Sequence, residues 1–251
     1  MKFPERKRKA EKRWKDQDLI KVVDSTIDPR TENILFEISR RLNIVKIFGA
    51  ISSGKEAKVY PAMDDKENWY AIKVYYVSTA SHKRAVKKYM MGDPRFMEVR
   101  PKSTRHLIST WAKKEFKNLK RLYDADVRVP RPYLVLENVL VMEFIGEDGV
   151  SAPLLKDVNE DLITQELYMD LIEQIKRMVK VAKLVHGDLS EYNVLVHNSK
   201  PYIIDVSQSI TIDHQNWKEL LERDLRNINN FFSSKGIRVM PLEDIFKMIL
   251  E

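Results

Sequence analysis

Cysteine is absent from the 251-residue chain, and no long hydrophobic run occurs in it. Without cysteine there can be no disulfide, thiolate metal site or cysteine nucleophile, and a reducing compartment is favoured. No segment has the length and apolar character of a membrane span, and the first residues do not have the pattern of a signal peptide. We therefore expect a soluble cytoplasmic protein that has no membrane partner.

Positive charge is in excess, with a formal net charge of +7, and it is unevenly distributed. Residues 1–18 contain eight Lys or Arg against four acidic residues, and residues 77–105 contain eight against two. Such segments can contact the phosphate backbone of a nucleic acid. They are equally typical of solvated faces or a mobile loop, and the sequence leaves both interpretations open.

The first half of the chain has the pattern of an antiparallel sheet with a helix. Pro29 and an apolar helical spacing predict an N-terminal helix, and strand-like runs follow at 44–51, 57–63 and 69–77. The turn-rich DDKEN segment joins the last two runs, which indicates a meander. A helix over 105–123 and two more strands follow, so this half predicts five strands and one main helix.

Beyond residue 145 the pattern is mostly helical. It predicts helix as far as Lys183, two short strands around 184–205, and helix again over 217–232. The whole chain therefore favours an α+β fold with two unequal lobes. We divide it into a basic helical extension, an N-lobe with a basic insertion, and a reduced C-lobe, at residues 1–43, 44–142 with the insertion at 77–105, and 143–251.

The segment GAISSGKEAKVYPA is the first candidate for chemistry. Gly54, between two predicted strands, would allow backbone amides to close over a phosphate, because glycine lets the main chain approach a ligand closely. By itself, Gly54 is more typical of an ordinary hairpin turn. A Walker motif is excluded, because Glu56 stands where that motif has Ser or Thr and no helix follows.

An ion pair is predicted between the sheet and its helix. Lys73 lies inside the apolar run YAIKVYYV, where a lysine must reach solvent or find a partner. On the following helix, Glu115 shares an inward-facing stripe with Trp111 and Leu119. The two charged residues can therefore meet, either in a phosphate site or as a purely structural salt bridge.

Polar residues interrupt the strand-like run LVHGDLSEYNVLV. Asp188 and Asn193 lie five residues apart, and Asp205 ends the next apolar strand. A hairpin would place Asn193 beside Asp205, and such oxygen ligands suit magnesium, which takes further ligands from nucleotide phosphates and water. Asp188 would face the same pocket as the acceptor of a hydroxyl proton. Together with Lys73 and Glu115, these residues indicate a phosphoryl-transfer site.

In this order the motifs resemble the protein-kinase fold. Three segments, SSGKEAKVY, HGDLSEYN and IDVSQS, are more narrowly similar to the RIO family of atypical serine protein kinases, and IDVSQS to its first subgroup. The resemblance extends from about Ile44 to the C-terminus. It implies ATP with magnesium, or manganese in its place, as cofactors, and transfer of the γ-phosphoryl group to serine.

The resemblance also assigns roles to residues. Lys73 would bind the α- and β-phosphates and be held by Glu115, Asn193 and Asp205 would ligate the metal, and Asp188 would be the catalytic base. The remaining nucleotide contacts would come from a phosphate cover, the strands beside it and a hinge that binds adenine: Ser52, Ser53, Gly54, Lys55, Glu56, Ala57, Lys58, Val59 and Ala71, then Met142, Glu143 and Ile145.

One further carboxylate is predicted from helix spacing alone. Asp224 lies on the apolar stripe of the helix over 217–232, so it would be buried and would need hydrogen-bond donors. We expect the backbone of the Asp188 loop to supply them.

The chain departs from ordinary kinases in ways that leave its phosphoryl acceptor open. Gly187 replaces the usual Arg, Ser190 replaces the usual Lys, and only 46 residues follow Asp205, too few for the usual peptide platform. One alternative to a serine kinase is an ATPase switch of ribosome assembly, with transfer to water or transiently to Asp205. A non-catalytic RNA-binding scaffold is another alternative.

The resemblance also bears on partners. The family's association with small-subunit ribosome maturation implies the pre-ribosomal small subunit and rRNA as partners of the two basic segments. The sequence does not indicate the protein substrate. Three serines in the insertion are candidate autophosphorylation sites: Ser78, Ser81 and Ser103.

Overall fold

The computed structural model describes residues 27–77, 95 and 102–251. They form an antiparallel sheet with a helix on each face, followed by a mostly helical half. No helix in these ranges is long and apolar enough to cross a bilayer. The elements are α1 Pro29–Arg41, β1 Ile44–Ile47, β2 Ser52–Ser53, β3 Ala57–Asp64, β4 Trp69–Tyr75, α2 Thr104–Tyr123, β5 Pro132–Leu136, β6 Val139–Glu143, β7 Gly146–Glu147, β8 Val150–Ser151, α3 Gln165–Lys180, β9 Leu184–Val185, β10 Val194–His197, β11 Lys200–Ile203, β12 Ile210–Thr211, α4 Trp217–Ser234 and α5 Leu242–Leu250.

The sheet has six strands in the order β1-β3-β4-β6-β5, with β2 also paired to β3, rather than the five strands predicted. The predicted strand 44–51 is divided because Ile47 pairs with Ala62 whereas Ser52 pairs with Val59. The five residue steps from Ile47 to Ser52 therefore lie opposite only three steps of β3, from Ala62 to Val59. The two extra residues bulge out of the ladder and set β2 apart as a separate short strand.

Alternation along β4 directs Lys73 away from the α1 side of the sheet. Ile72 and Val74 belong to the cluster that packs against α1, whereas Tyr75 packs with α2. Successive side chains of a strand point to opposite faces. Lys73 therefore lies on the same face as Tyr75, towards α2.

Helix α2 begins at a capped N-terminus and buries one stripe. The hydroxyl of Ser103 accepts a hydrogen bond from His106 N, 3.1 Å away, which satisfies one of the free amides of the first turn. Trp111, Glu115 and Leu119 are buried on its inner face. The predicted stripe is therefore present, and it carries a carboxylate into the interior.

The segment 146–162, which was predicted to be helical, forms a short β7–β8 hairpin and two 3-10 turns instead. Gly146 and Gly149 have φ values of +153° and +77°. A Cβ on Gly149 would lie 2.4 Å from the ring of Trp69, so only glycine fits this turn. We propose that the two lobes meet just before it, at residues 142 and 143.

The second half has its own core around α3. Buried side chains from α3, α4 and α5 pack with those of the short strands that follow α3, such as Leu184 and Val194. The strands β10 and β11 form the predicted hairpin, in which Val194 pairs with Ile203. This hairpin brings Asn193 and Asp205 to the same end.

Candidate active site

Lys73 holds two carboxylates at once. Its Nζ lies 2.9 Å from Glu115 Oε1 and 2.9 Å from Asp205 Oδ1. The lysine side chain is 10% exposed and that of Glu115 is 1% exposed, whereas that of Asp205 is half-exposed. The ammonium group therefore joins a buried carboxylate of α2 to an accessible one after β11.

The charges of this triad depend on one another. Burial works to lower the pKa of Lys73, but the negative charges of Asp205 and Glu115 outweigh it and hold the pKa above its usual value. Burial raises the pKa of Glu115 to about 7, against the opposing charge of Lys73. Its second oxygen, Oε2, has no hydrogen-bond partner among the described residues. Lys73 thus remains a cation near neutral pH.

Asp205 has an unusual backbone conformation, with φ 57° and ψ 55° in the left-handed region. Its Oδ1 accepts hydrogen bonds from Lys73 and from the Ser207 hydroxyl, which is 3.1 Å away. Burial works to raise the pKa of Asp205, but the charge and hydrogen bond of Lys73 outweigh it and the pKa is lowered. The group is therefore an anion with a free oxygen facing the cleft.

Asp188 and Asn193 are joined through the loop between β9 and β10. Asn193 Nδ2 donates to the Asp188 carbonyl oxygen at 2.8 Å, and Asp188 N donates to His186 Nδ1 at 3.3 Å. The Asp188 side chain is exposed beside the cleft. Partial desolvation there raises its pKa, and the charge of Asp205 adds to the increase, while His186 and Arg223 oppose it. A carboxylate of this kind is suited to accept a proton.

Helix α4 binds the loop around Asp188 through hydrogen bonds, and Asp224 accepts two of them, as predicted. Its two carboxylate oxygens accept from Gly187 N at 2.7 Å and from Leu189 N at 3.0 Å. Two neighbours on α4 were not predicted to contribute: Arg223 donates to the Gly187 carbonyl oxygen, and Asn227 Nδ2 donates to that of Leu189 at 3.0 Å. The backbone on both sides of Asp188 is therefore fixed.

Lys73, Asn193 and Asp205 line a cavity of about 510 Å³ between the sheet and the helical half, whereas Glu115, Asp188 and Asp224 do not line it. It is large enough for a ligand of nucleotide size. Most of the predicted ATP-binding and metal-binding residues line it: Ser52, Gly54, Lys55, Glu56, Ala57, Val59, Ala71, Lys73, Met142, Glu143, Ile145, Asn193 and Asp205.

Two predicted nucleotide contacts do not line the cavity. Lys58 lies between Ala57 and Val59 on β3, so the alternation of the strand directs it to the other face. Ser53 is exposed next to the turn. Gly54 has no positive φ, and a Cβ there would meet only the Ala57 carbonyl oxygen, at 3.6 Å, so the turn itself does not require glycine.

Other cavity residues were not predicted. Leu195 and Ile204 belong to the β10–β11 hairpin region, and Pro130, Phe144 and Leu154 come from connecting segments. The alternation of LVHGDLSEYNVLV gave a signal for Leu195, because it lies between the buried residues Val194 and Val196 and points the other way. The connecting segments gave no comparable pattern. Together these residues add to the apolar lining of the cavity.

The oxygens of Asn193 and Asp205 fit a magnesium site. In the described part of the chain no hydrogen bond occupies Asn193 Oδ1 or Asp205 Oδ2. No cluster of three or more His, Cys, Asp or Glu residues within that part could hold a metal ion by itself. Two oxygen ligands with space beside them suit magnesium, which usually keeps water and phosphate ligands.

Several predicted residues fall outside the described ranges. They include Ser78 and Ser81, the basic residues 1–18 and most of the basic insertion. The third candidate serine, Ser103, is described as the exposed N-cap of α2.

Comparison with known proteins identifies the family. The RIO domain matches residues 58–245. Serine/threonine-protein kinase RIO1 of Caenorhabditis elegans is 41% identical over 244 residues, covering 96% of this chain and 47% of the relative. The protein of the same name from Homo sapiens is 42% identical over 241 residues, covering 95% and 42%. The chain thus spans less than half the length of these two relatives.

An archaeal relative has a length closer to that of the chain. RIO-type serine/threonine-protein kinase Rio1 of Methanocaldococcus jannaschii is 40% identical over 239 residues, covering 95% of this chain and 80% of the relative. Among solved structures, the Rio2 kinase from Chaetomium thermophilum has a TM-score of 0.65 at 25% identity, covering 85% of this chain and 66% of that one. Sequence and fold agree, and the chain belongs to the RIO family of atypical protein kinases.

Proposed function

We propose that the chain is an ATP-dependent serine protein kinase of the first RIO subgroup, which transfers the γ-phosphoryl group of Mg-ATP to serine, including serines of its own. The observation that carries this proposal is the position of Lys73 Nζ, 2.9 Å from both Glu115 and Asp205 at the wall of the cavity. Relatives that match 95% or more of the chain bear the name serine/threonine-protein kinase.

In the proposed reaction the side chains mainly position and neutralise the reactants. Lys73 donates to the α- and β-phosphates, and the hinge Met142–Ile145 contacts adenine. Magnesium, held by Asn193 and Asp205, would neutralise charge on the phosphates. Asp188 accepts the proton of the serine hydroxyl. The serine oxygen bonds to the γ-phosphorus, the bond to the β–γ bridging oxygen breaks, and ADP leaves.

A second candidate is an ATPase switch in which the acceptor is Asp205 and the phosphoaspartate is then hydrolysed. The half-exposed carboxylate of Asp205 at the cavity favours it. A structure of the Rio2 kinase from Chaetomium thermophilum, 24% identical with a TM-score of 0.65 over 87% of this chain and 66% of that one, is described as an ADP/Mg²⁺-phosphoaspartate complex. A carboxylate can accept a phosphoryl group.

The test is incubation of the purified chain with γ-labelled Mg-ATP. Label on serine supports the kinase, label in an acid-labile acyl phosphate followed by free phosphate supports the switch, and no release of label from ATP contradicts both. The variants Asp188→Ala and Asp205→Ala distinguish the two acceptors. Loss of the acid-labile label in Asp205→Ala, with retained labelling of serine and retained binding of ATP, would assign the acyl-phosphate acceptor to that carboxylate.

The partners are also proposals. Pre-ribosomal small subunits and rRNA suit the basic segments 1–18 and 77–105, which have the charge that phosphate backbones attract. A cytoplasmic location suits a chain without cysteine. The third alternative, a non-catalytic RNA-binding scaffold, is opposed by the presence of Lys73, Asn193 and Asp205 at one cavity, with Glu115 bonded to Lys73.

A further inference from the structure

Two polar side chains of α2 donate hydrogen bonds to the backbone turn that follows Asp205, residues 206–209. Lys114 Nζ donates to the Ser207 carbonyl oxygen at 2.9 Å. Asn118 Nδ2 donates to the Val206 carbonyl oxygen at 2.8 Å and to that of Ser209 at 3.4 Å. Helix α2 thus binds three of the four carbonyl groups that directly follow Asp205.

Both side chains are fully buried, with 0% exposure. Burying a lysine is costly unless its ammonium group is well paired, and an apolar side chain would pack at less cost. The hydrogen bond from Lys114 to the Ser207 carbonyl oxygen therefore offsets the cost of burying the ammonium group. The ammonium group also lies 5.0 Å from the centre of the Trp111 ring, which adds a cation–π contact.

A bond from the basic insertion fixes the direction of the Asn118 amide. Arg95 Nη1 donates to Asn118 Oδ1 at 2.8 Å, and Arg95 Nη2 donates to the Ser209 carbonyl oxygen at 3.4 Å. Because the amide oxygen accepts from Arg95, the amide nitrogen faces the turn as a donor. The grip therefore has a defined donor and acceptor pattern.

The backbone conformation of Asp205 needs such support. Its left-handed φ and ψ are unfavourable for a residue with a Cβ. Such conformations persist where the surroundings over-determine them. The Asp205 side chain contacts Lys73 and Ser207, and Ser209 N donates to the Val206 carbonyl oxygen within the turn. The bonds from Lys114 and Asn118 add a hold on the carbonyl groups of Val206, Ser207 and Ser209 from outside the turn.

We propose that Lys114 and Asn118 are positioning residues for the metal site, which hold the Asp205 backbone so that its free carboxylate oxygen faces the metal and the nucleotide. Glu115 lies between them in sequence, so one helix sets the positions of both Lys73 and Asp205. The inference rests on the proposed function only in taking Asp205 as a ligand of the magnesium that accompanies ATP.

The test is Lys114→Met, which keeps the length of the side chain and removes its charge. The dissociation constant of ATP is measured by calorimetry with magnesium and again with EDTA. We expect binding with magnesium to weaken by about tenfold to hundredfold, the usual effect of losing a partner that orients a metal ligand. Binding with EDTA should change by less than about twofold, since Lys73 and the hinge are untouched.

Lys120→Met is the matched control, because Lys120 lies on the same helix but is exposed and paired with Asp124. It should leave both constants unchanged. Asn118→Leu is the second variant and should reproduce the selective loss. A melting temperature is recorded for each protein, because a purely structural role would lower it while keeping the gain in affinity that magnesium gives.

Three outcomes would overturn the inference. They are equal weakening of ATP binding with and without magnesium, an unchanged increase in ATP affinity from magnesium in both variants, and failure of both variants to fold. Failure of the proposed function is recognised separately, because it would appear in the wild-type chain as no transfer of label from ATP. The binding measurement requires no turnover, so the wild-type magnesium gain and its selective loss in Lys114→Met would then still support the inference.

Discussion

Lys73 illustrates how one buried cation can organise a site. Alone on β4 it would be costly to bury, but Glu115 and Asp205 each lie 2.9 Å away and come from separate parts of the chain. The ion pair between Lys73 and Glu115 is buried away from solvent, whereas the side chain of Asp205 is half-exposed. An incoming phosphate can therefore share Lys73 with Asp205 while Glu115 keeps the ammonium group in place.

Replacing Glu115 with Gln tests this arrangement. The amide is nearly isosteric but neutral, so Lys73 should shift towards Asp205, and we expect kcat/KM for ATP to fall by roughly tenfold to hundredfold, the range expected for one charged hydrogen bond. The melting temperature should change little, because burial already disfavours the charge and raises the pKa of Glu115 to about 7. Steady-state kinetics check the result, with Glu173→Gln on the surface as control. An unaltered kcat/KM would contradict the role.

Asp188→Asn tests the proton acceptor. We expect turnover to fall by roughly 10²- to 10⁴-fold, because general-base assistance is lost. Affinity for Mg-ATP should remain within about threefold, since Asp188 does not line the cavity. Single-turnover transfer and calorimetry measure the two quantities. The exposed Asp244 on α5 provides a matched Asp→Asn control. Undiminished turnover would remove Asp188 from the mechanism.

At this scale the sequence predicts short-range chemistry better than long-range contact. The placement of Lys73 and Glu115 together follows from alternation on a strand and spacing on a helix. The bond between Lys73 and Asp205 spans 132 residues, and no local pattern predicts it. Likewise Pro130 and Leu154 reach the cavity from connecting segments, where periodicity carries no information.

Helix α4 acts as a support for the loop around Asp188. Asp224 accepts two backbone hydrogen bonds from it, and Asn227 donates one to it. The carboxylate is 1% exposed, and burial raises its pKa to about 6, although His186 and the backbone donors oppose the change. The loop is thus held by a group whose charge is costly at neutral pH.

This gives a pH dependence of stability that Asp224→Asn should remove. The folded pKa of about 6 exceeds the ordinary value of 3.8, so between these values the folded state holds a proton that the unfolded state releases. This contribution to stability is therefore complete below about pH 4 and lost as the pH rises through about 6. We expect it to amount to about 3 kcal/mol for two pKa units.

The measurement is urea unfolding of both proteins between pH 4 and 7.5. The free energy of unfolding of the wild type, relative to Asp224→Asn, should fall across that range and then level off. The amide also loses one of the two acceptors, which adds an offset that does not depend on pH. A constant difference between the two proteins would show that Asp224 has an ordinary pKa.

Elements with a strong repeat were predicted well and the others were not. The burial of Asp224 followed from the apolar stripe of α4, and the strands of the meander followed from their alternation. The β7–β8 hairpin was missed because its fold depends on Gly149 packing under Trp69, a contact distant in sequence. The division of β1 from β2 depends on a two-residue bulge, which alternation alone does not reveal.

On the scale of the whole molecule, the sheet and the helical half close on one cavity from opposite sides. Helix α2 connects them, because it packs on the sheet through Trp111 and grips the turn after Asp205 through Lys114 and Asn118. One helix therefore carries Glu115 and also binds the turn that follows Asp205. A movement of α2 away from the sheet would disturb Lys73 and Asp205 together.

The proposed contact of the basic segments 1–18 and 77–105 with RNA also concerns the whole molecule, and replacement of their charged residues tests it. Replacing four clustered residues with Gln should weaken binding of single-stranded RNA, because each lost phosphate contact reduces the salt dependence of log K by about 0.7. The slope should therefore fall by up to about 3 in the variant with Gln at Arg6, Lys7, Arg8 and Lys9.

The affinity is measured by fluorescence anisotropy at several salt concentrations. The control carries the same change in net charge at four exposed lysines of the second half: Lys183, Lys200, Lys218 and Lys247. A local contact predicts a large fall in slope for the first variant and little for the control. If the two variants lose affinity equally, the effect comes from net charge alone and residues 6–9 do not bind RNA specifically, since steering by the whole charge does not depend on where the cations lie.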